Sequence, residues 1–197
     1  MIFRNIHNKL ERIASKKGIT TLFLLSHTVL LLMMLFTFPR INAKFGTQAF
    51  DLKTFGYSQS EATIMLRHLD QSTIDLYLFP QLFLLDVLYP ILLALFLSTL
   101  IIRLSNLINV NQNYVFLNLF MLPFITMFID YFENIMISLM ITNPINVSPE
   151  VIKTASLFTQ MKGGVTTLSW LVILILLGIW LVNKMKKKKH TTNNVYN

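Results

Sequence analysis

The amino-acid sequence is that of an all-α, polytopic membrane protein: a four-transmembrane-helix bundle with a short amphipathic helix in its first extracytoplasmic loop. Composition, segment length and charge placement lead to this expectation. The 197-residue chain is 54% hydrophobic and only 13% charged, with a mean hydropathy of +0.58, which is too apolar for a soluble domain. It holds four apolar segments long enough to cross a hydrocarbon core of ~30 Å.

These segments lie within a single membrane domain of residues 1–197 and are predicted at residues 19–38, 76–102, 114–141 and 165–182. The first follows a basic stretch, as a signal peptide would, but it is longer than a typical signal sequence and meets Pro39 where a small-residue cleavage site is needed, which favours an uncleaved helix. The third is about 28 residues long, which predicts tilt, protruding ends or a bend at Pro123. Gly163 and Gly164 predict a break or bend just before the fourth.

The distribution of Lys and Arg predicts the orientation. Eleven of these residues flank one face: five precede the first segment, Arg103 lies between the second and third, and five fall within Lys184–Lys189. The opposite face has six, in longer connections. The positive-inside rule therefore places both termini, residues 1–18 and 183–197, in the cytoplasm of a cell-membrane protein.

The connection between the first two segments, residues 39–75, is predicted to contain the amphipathic helix. Ser58 and Glu61 have the spacing of a capping box. After them, apolar residues recur on one helical stripe at Ala62, Met65, Leu66 and Leu69. We expect this helix to lie on the outer rim of the bundle.

Three acidic residues fall within the apolar segments. Asp86 is in the second, while Asp130 and Glu133 are in the third, which runs in the opposite direction. A rise of ~1.5 Å per residue puts Asp86 and Glu133 at similar depth. Because a carboxylate facing lipid costs ~3 kcal/mol or more, these side chains are predicted to point inward.

Other polar residues accompany the acids. Asn134 shares a helix face with Asp130, Tyr89 lies one turn beyond Asp86, and Lys162 has the depth to pair with Glu133. Three carboxyls close together in a site of low polarity cannot all remain ionised, so at least one should hold a proton near neutral pH. We predict a ligand-binding or proton-binding site made of Asp86, Asp130, Glu133, Asn134, Tyr89 and Lys162.

A purely structural role is the alternative, because buried polar side chains also join membrane helices. This role is favoured for Asn134, Tyr89, Gln81 and Thr126, whereas the acids favour function because a charge is a costly way to link helices. The chain has no cysteine and no histidine cluster with metal-ligand spacing, so neither a metal site nor a cofactor is expected.

The net charge of +8 does not indicate nucleic-acid binding here, because the basic residues border apolar segments. The expected partner is the lipid bilayer, with anionic headgroups at Lys184–Lys189. A homo-oligomer or a membrane partner protein remains open.

The chain resembles a group of bacterial four-helix integral membrane proteins that have no assigned activity. The resemblance rests on Tyr-Ser-x-x-Glu-Ala at Tyr57–Ala62, Asp-x-x-Tyr-Pro at Asp86–Pro90 and Asp-x-x-Glu-Asn at Asp130–Asn134, with Lys162 as a further matching residue. It covers most of residues 57–182 and implies a four-helix membrane fold without implying a reaction.

Three functional hypotheses follow. The first is an intramembrane acidic site that binds or moves a proton, a cation or a lipid-like small molecule. The second is an accessory or assembly subunit whose acids pair with basic residues of a membrane partner. The third is a membrane enzyme that transfers protons on a lipid-soluble substrate; the chain has no phosphate-binding loop, nucleophile elbow or zinc-protease motif that would indicate another reaction.

Overall fold

A computed structural model describes residues 2–109 and 118–193 of the chain, with the side chains of residues 2, 3 and 187–193 left undescribed. The structure is 86% helix, and the described residues include no strand. The helices in chain order are α1 Ile2–Ile13, α2 Lys16–Phe45, α3 Gln59–Arg67, α4 Gln71–Leu107, α5 Leu122–Thr142 and α6 Pro149–Asn193, with a 3₁₀ turn at Phe50–Leu52. Of these, α2, α4, α5 and α6 are long and apolar enough to cross a membrane.

The outward faces of the long helices are apolar. Leu35 on α2 is 65% exposed, and Ile175 on α6 is 60% exposed. The central helix is α4, which packs against α1, α2, α5 and α6. A continuous apolar exterior of this kind suits a lipid environment.

The hydrophobic interior forms two clusters. One lies at the end that carries the connection between α2 and α4, which we name the capped end, and it includes Phe45, Phe50, Tyr57, Met65 and Ile141. The other lies at the end that carries α1, which we name the tail end, and it includes Leu10, Leu97, Ile101, Phe120 and Leu176. The predicted acidic residues fall between the two clusters along α4 and α5.

The amphipathic helix predicted in the first connection is confirmed as α3. The Ser58 hydroxyl accepts from the Glu61 amide at 3.2 Å, and the Glu61 carboxylate accepts from the Ser58 amide at 2.8 Å, which completes the capping box. Three members of its apolar stripe are buried in the capped-end cluster: Ala62, Met65 and Leu66.

The break predicted at Gly163 and Gly164 is wrong. Helix α6 is continuous there, because continuous helix satisfies the backbone hydrogen bonds that a break would leave open. The third predicted segment, 114–141, is interrupted next to Pro123: residues 118–119 are helical, residues 120–121 form a turn, and α5 begins at Leu122. The proline thus lies in the first turn of α5, where no amide hydrogen is needed.

Irregular turns occur instead in α2 and α4, which extend beyond the predicted segments 19–38 and 76–102. Helix α2 widens into a π-helical turn at Met33–Thr37 and continues to Phe45. Helix α4 has a similar turn at Tyr77–Leu85, where Phe79 is extended because Pro80 follows it. The Thr37 hydroxyl donates a hydrogen bond to the Gln81 side chain, which joins the two turns.

The two predicted tails are also more ordered than a tail implies. Within residues 1–18, helix α1 buries Leu10 against the tail-end cluster. Within residues 183–197, α6 continues to Asn193. The predicted start of the third segment at Tyr114, the side chains of Lys187–Lys189 and residues 194–197 lie outside the described part of the chain.

Candidate functional site

A cavity of about 290 Å³ lies between the two hydrophobic clusters. Its wall is formed by α2, the turn after α2, α4, α5 and α6, and most of the lining side chains are apolar, including Met33, Phe38, Pro90, Leu93, Ala94 and Leu97. The charged residues in the lining are Asp51, Asp86, Asp130 and Lys162, and Tyr89 adds a phenol. Four of the six predicted site residues therefore lie on one cavity wall: Asp86, Tyr89, Asp130 and Lys162.

Lys162 connects α6 to α5 through two carboxylates. Its ammonium donates to Asp130 Oδ1 at 2.9 Å and forms an ion pair with Glu133 Oε2. The Thr159 hydroxyl donates to the other Glu133 oxygen at 2.6 Å. Residues three apart share a helix face, so Asp130 and Glu133 on α5 can both contact the face of α6 that carries Thr159 and Lys162. The predicted pairing of Lys162 with Glu133 is present, and Asp130 joins it.

Glu133 and Asn134 do not line the cavity. Glu133 is 0% exposed and lies behind Asp130, held between Lys162 and Thr159. Asn134 donates from Nδ2 to the backbone carbonyl of Asp86 at 3.3 Å. These contacts join α5 to α6 and to α4.

The Asn134 contact has a local cause in the sequence of α4. The carbonyl of Asp86 would normally accept from the amide four residues later, but that residue is Pro90, which has no amide hydrogen. Asn134 supplies a donor to the freed carbonyl, and the Tyr131 hydroxyl donates to the next carbonyl, that of Val87, at 2.9 Å. Side chains of α5 thus supply hydrogen-bond donors to backbone carbonyls of α4 beside the cavity.

Asp86 is the least compensated charge in the cavity wall. Its side chain is only 4% exposed. Oδ2 has no hydrogen-bond partner among the residues that the structure describes. The basic residue in the cavity lining is Lys162, which forms ion pairs with Asp130 and Glu133. Asp86 therefore contributes to the cavity lining a carboxyl group whose Oδ2 atom is buried and has no donor in the described part of the chain.

Asp51 is a second such acceptor and was not predicted from the sequence. It lies on the 3₁₀ turn Phe50–Leu52, is 9% exposed, and accepts a hydrogen bond from the Tyr77 hydroxyl through Oδ2. Its Oδ1 atom has no partner within the described residues. Burial raises the pKa of Asp51 above its ordinary value, against the opposing effects of Lys162 and the Tyr77 hydrogen bond.

The turn that carries Asp51 is held against α6 by close contacts. The Tyr57 amide donates to Ser156 Oγ at 2.9 Å, and the Ser156 hydroxyl donates back to the Tyr57 carbonyl at 2.9 Å. A Cβ atom at Gly163 would lie 2.5 Å from Thr54 Cγ2. Glycine at this position lets the backbone of the turn approach the helix, so the turn closes the capped end of the cavity.

Two signals in the sequence point to the residues that were missed. Asp51 is flanked by Phe50 and Leu52, and an acid between apolar residues in a loop is a candidate for burial. Thr159 precedes Lys162 by three residues and therefore extends its helix face.

Among the described residues, no three His, Cys, Asp or Glu side chains are grouped as a metal site requires. No protein-family model, curated protein or solved structure matches the chain. The family resemblance stays a prediction.

Proposed function

We propose that the protein is a multi-pass cell-membrane protein, with both termini in the cytoplasm, whose cavity binds a small amphiphilic molecule. The bound molecule presents a positive charge or hydrogen-bond donors to Asp86. The apolar exterior of the four long helices supports membrane insertion, and the excess of Lys and Arg beside the termini supports the orientation.

The observation that carries this proposal is the Asp86 carboxyl group, which lines the cavity and has one buried oxygen without a hydrogen-bond partner among the described residues. A buried acid without a partner destabilises a protein, because the lost hydration is not replaced. Acids that serve only to join helices are paired, as Glu133 is with Lys162 and Thr159. Within the described residues the Asp86 side chain joins no helices, and a bound molecule that donates to it would offset the cost of its burial.

The size and walls of the cavity define the class of ligand. About 290 Å³ is more than a proton or a single metal ion occupies, and it is close to the lower end of the ~300–1,000 Å³ typical of small-molecule pockets. The apolar side chains from α2 and α4 suit a hydrocarbon portion, while the acids suit a polar head.

The accessory-subunit hypothesis receives less support. It requires basic residues of a partner to neutralise the intramembrane acids. Asp130 and Glu133 already have the chain's own Lys162, so two of the three predicted acids need no partner protein.

The first test is native mass spectrometry of the protein extracted gently from its own membrane. We expect a small molecule to co-purify with the wild type and with the control variant Asp75→Asn, which changes an exposed acid on the same helix. It should be lost from Asp86→Asn. Equal retention in both variants would contradict a role for Asp86.

A second pair of variants tests the cavity without altering charge. Ala94 is buried and lines the cavity, whereas Ala43 is exposed on α2. Ala94→Phe fills the space and should abolish co-purification, while Ala43→Phe should not. Retention of the small molecule by folded Ala94→Phe would show that it binds elsewhere.

A further inference from the structure

The charged groups around the cavity are unbalanced. The turn after α2 contributes Asp51 to the lining, α4 contributes Asp86, α5 contributes Asp130, and α6 contributes Lys162. The cavity residues of α2 are apolar, and the remaining titratable groups nearby in the described residues are the Glu133 carboxyl and the hydroxyls of Tyr57, Tyr77, Tyr89 and Tyr131. Carboxyls therefore outnumber the single ammonium group.

Lys162 cannot compensate all of them, because its ammonium is already engaged by Asp130 and Glu133. Asp86 and Asp51 line the same cavity from different elements, and each has one buried oxygen, Oδ2 and Oδ1 respectively, without a donor among the described residues. An ionised carboxylate only accepts hydrogen bonds, so each open oxygen requires either an N–H or O–H donor or a proton of its own. Burial also raises the pKa of Asp51, which favours a proton on this carboxyl when no donor is present.

We propose, building on the binding function above, that the ligand is a primary or secondary alkylammonium ion and that it binds in exchange for a proton held on Asp86 or Asp51. In the empty site the carboxyl is neutral. When the ammonium enters, the carboxyl O–H bond breaks, its electron pair stays on the oxygen, and the proton leaves to water. The new carboxylate then accepts an ammonium N–H. One positive charge enters and one leaves, so the net charge of the cavity is conserved.

The donor requirement separates ammonium types. Primary and secondary ammonium ions carry N–H groups for the open oxygens of Asp86 and Asp51, whereas a quaternary ammonium carries charge without donors. The apolar lining from α2 and α4 would hold the alkyl chain. Charge-assisted hydrogen bonds should therefore favour an alkylammonium over an alcohol of equal length.

Isothermal titration calorimetry of the full-length protein in detergent tests this exchange. The probes are hexylammonium, hexyltrimethylammonium and 1-hexanol, each measured at pH 7 in phosphate and in HEPES, whose ionisation enthalpies differ. We expect hexylammonium to bind about tenfold to one hundredfold more tightly than 1-hexanol. The buffer dependence should show release of about one proton per hexylammonium bound. Hexyltrimethylammonium should bind more weakly than hexylammonium.

Variants locate the effect. Asp86→Asn should lose the preference for hexylammonium and the proton release while still binding 1-hexanol, and Asp75→Asn should behave as the wild type. If Asp86→Asn does not fold, Asp51→Asn serves in its place and should reduce both quantities.

The outcomes separate the two proposals. If hexylammonium and 1-hexanol bind equally and no proton is released, the exchange is overturned while the binding cavity stands. If no probe binds and no small molecule co-purifies, the binding function is overturned as well.

Discussion

Lys162→Met is expected to destabilise the protein because it removes the cation shared by Asp130 and Glu133. The ammonium lies 2.9 Å from Asp130 Oδ1 and in direct contact with Glu133, and the Lys162 side chain is only 18% exposed. Methionine is close to lysine in length and is apolar, so the substitution removes charge with little change in packing.

The size of the loss follows from the burial of the partners. Removing one member of a buried ion pair costs about 3–5 kcal/mol, because the remaining charge is left uncompensated. The Lys153→Met variant, which removes an exposed lysine from the same helix, should lose far less stability, because exposed charges contribute about 0–1 kcal/mol.

The assay is reversible unfolding in mixed micelles at pH 7, with Lys153→Met as the control because Lys153 is exposed on the same helix. The triple variant that adds Asp130→Asn and Glu133→Gln should recover most of the lost stability, since neither former partner of Lys162 then carries an unpaired charge. A Lys162→Met protein within about 1 kcal/mol of Lys153→Met would refute the reasoning.

Three other changes are predictable from the structure. Gly163→Ala should be less stable than Gly164→Ala by about 1–3 kcal/mol, because only the first substitution pushes a Cβ atom against Thr54. Adding Thr54→Ser, which removes the Thr54 methyl group, should restore the stability of Gly163→Ala. Equal stabilities of the two alanine variants would show that the turn is not packed as described. Ser58→Ala should cost about 1 kcal/mol of unfolding free energy through loss of the α3 cap, and a change below 0.3 kcal/mol would contradict this. Asp51→Asn should gain stability relative to wild type as pH rises above 3.8. The reason is that the pKa of Asp51 is raised in the folded wild type, which therefore loses stability between the unfolded and the folded pKa of this group. Parallel pH profiles of the two proteins would contradict the burial of this acid.

Part of the site could be predicted from the sequence because a helix has a constant rise per residue, so residue numbers give approximate depths along it. A fixed rise places Glu133 and Lys162 at one depth, and their pairing is found. Which acid of α5 faces the cavity could not be read in this way. Residues three apart differ by about 60° around a helix, so Asp130 and Glu133 share a face but not an environment. Packing against α6 places Asp130 in the lining and Glu133 behind it.

The prediction of a helix break in α6 was wrong because it considered the low helix propensity of glycine and not the surroundings of the two glycines. Two adjacent glycines in α6 suggested a break, yet the helix is continuous. Gly163 serves instead to admit Thr54 from a segment more than one hundred residues earlier in the chain. Such a contact leaves no periodic signal in either segment.

What the sequence by itself determined is the long apolar helices and the acids within them. Length and hydropathy suffice for this because an apolar segment can satisfy its backbone hydrogen bonds internally as a helix. Only the tertiary structure decided that a cavity exists, that Asp51 lines it and that Asp86 Oδ2 has no partner among the described residues. The reason is that the turn carrying Asp51 is positioned by contacts between residues far apart in the chain, such as Tyr57 with Ser156.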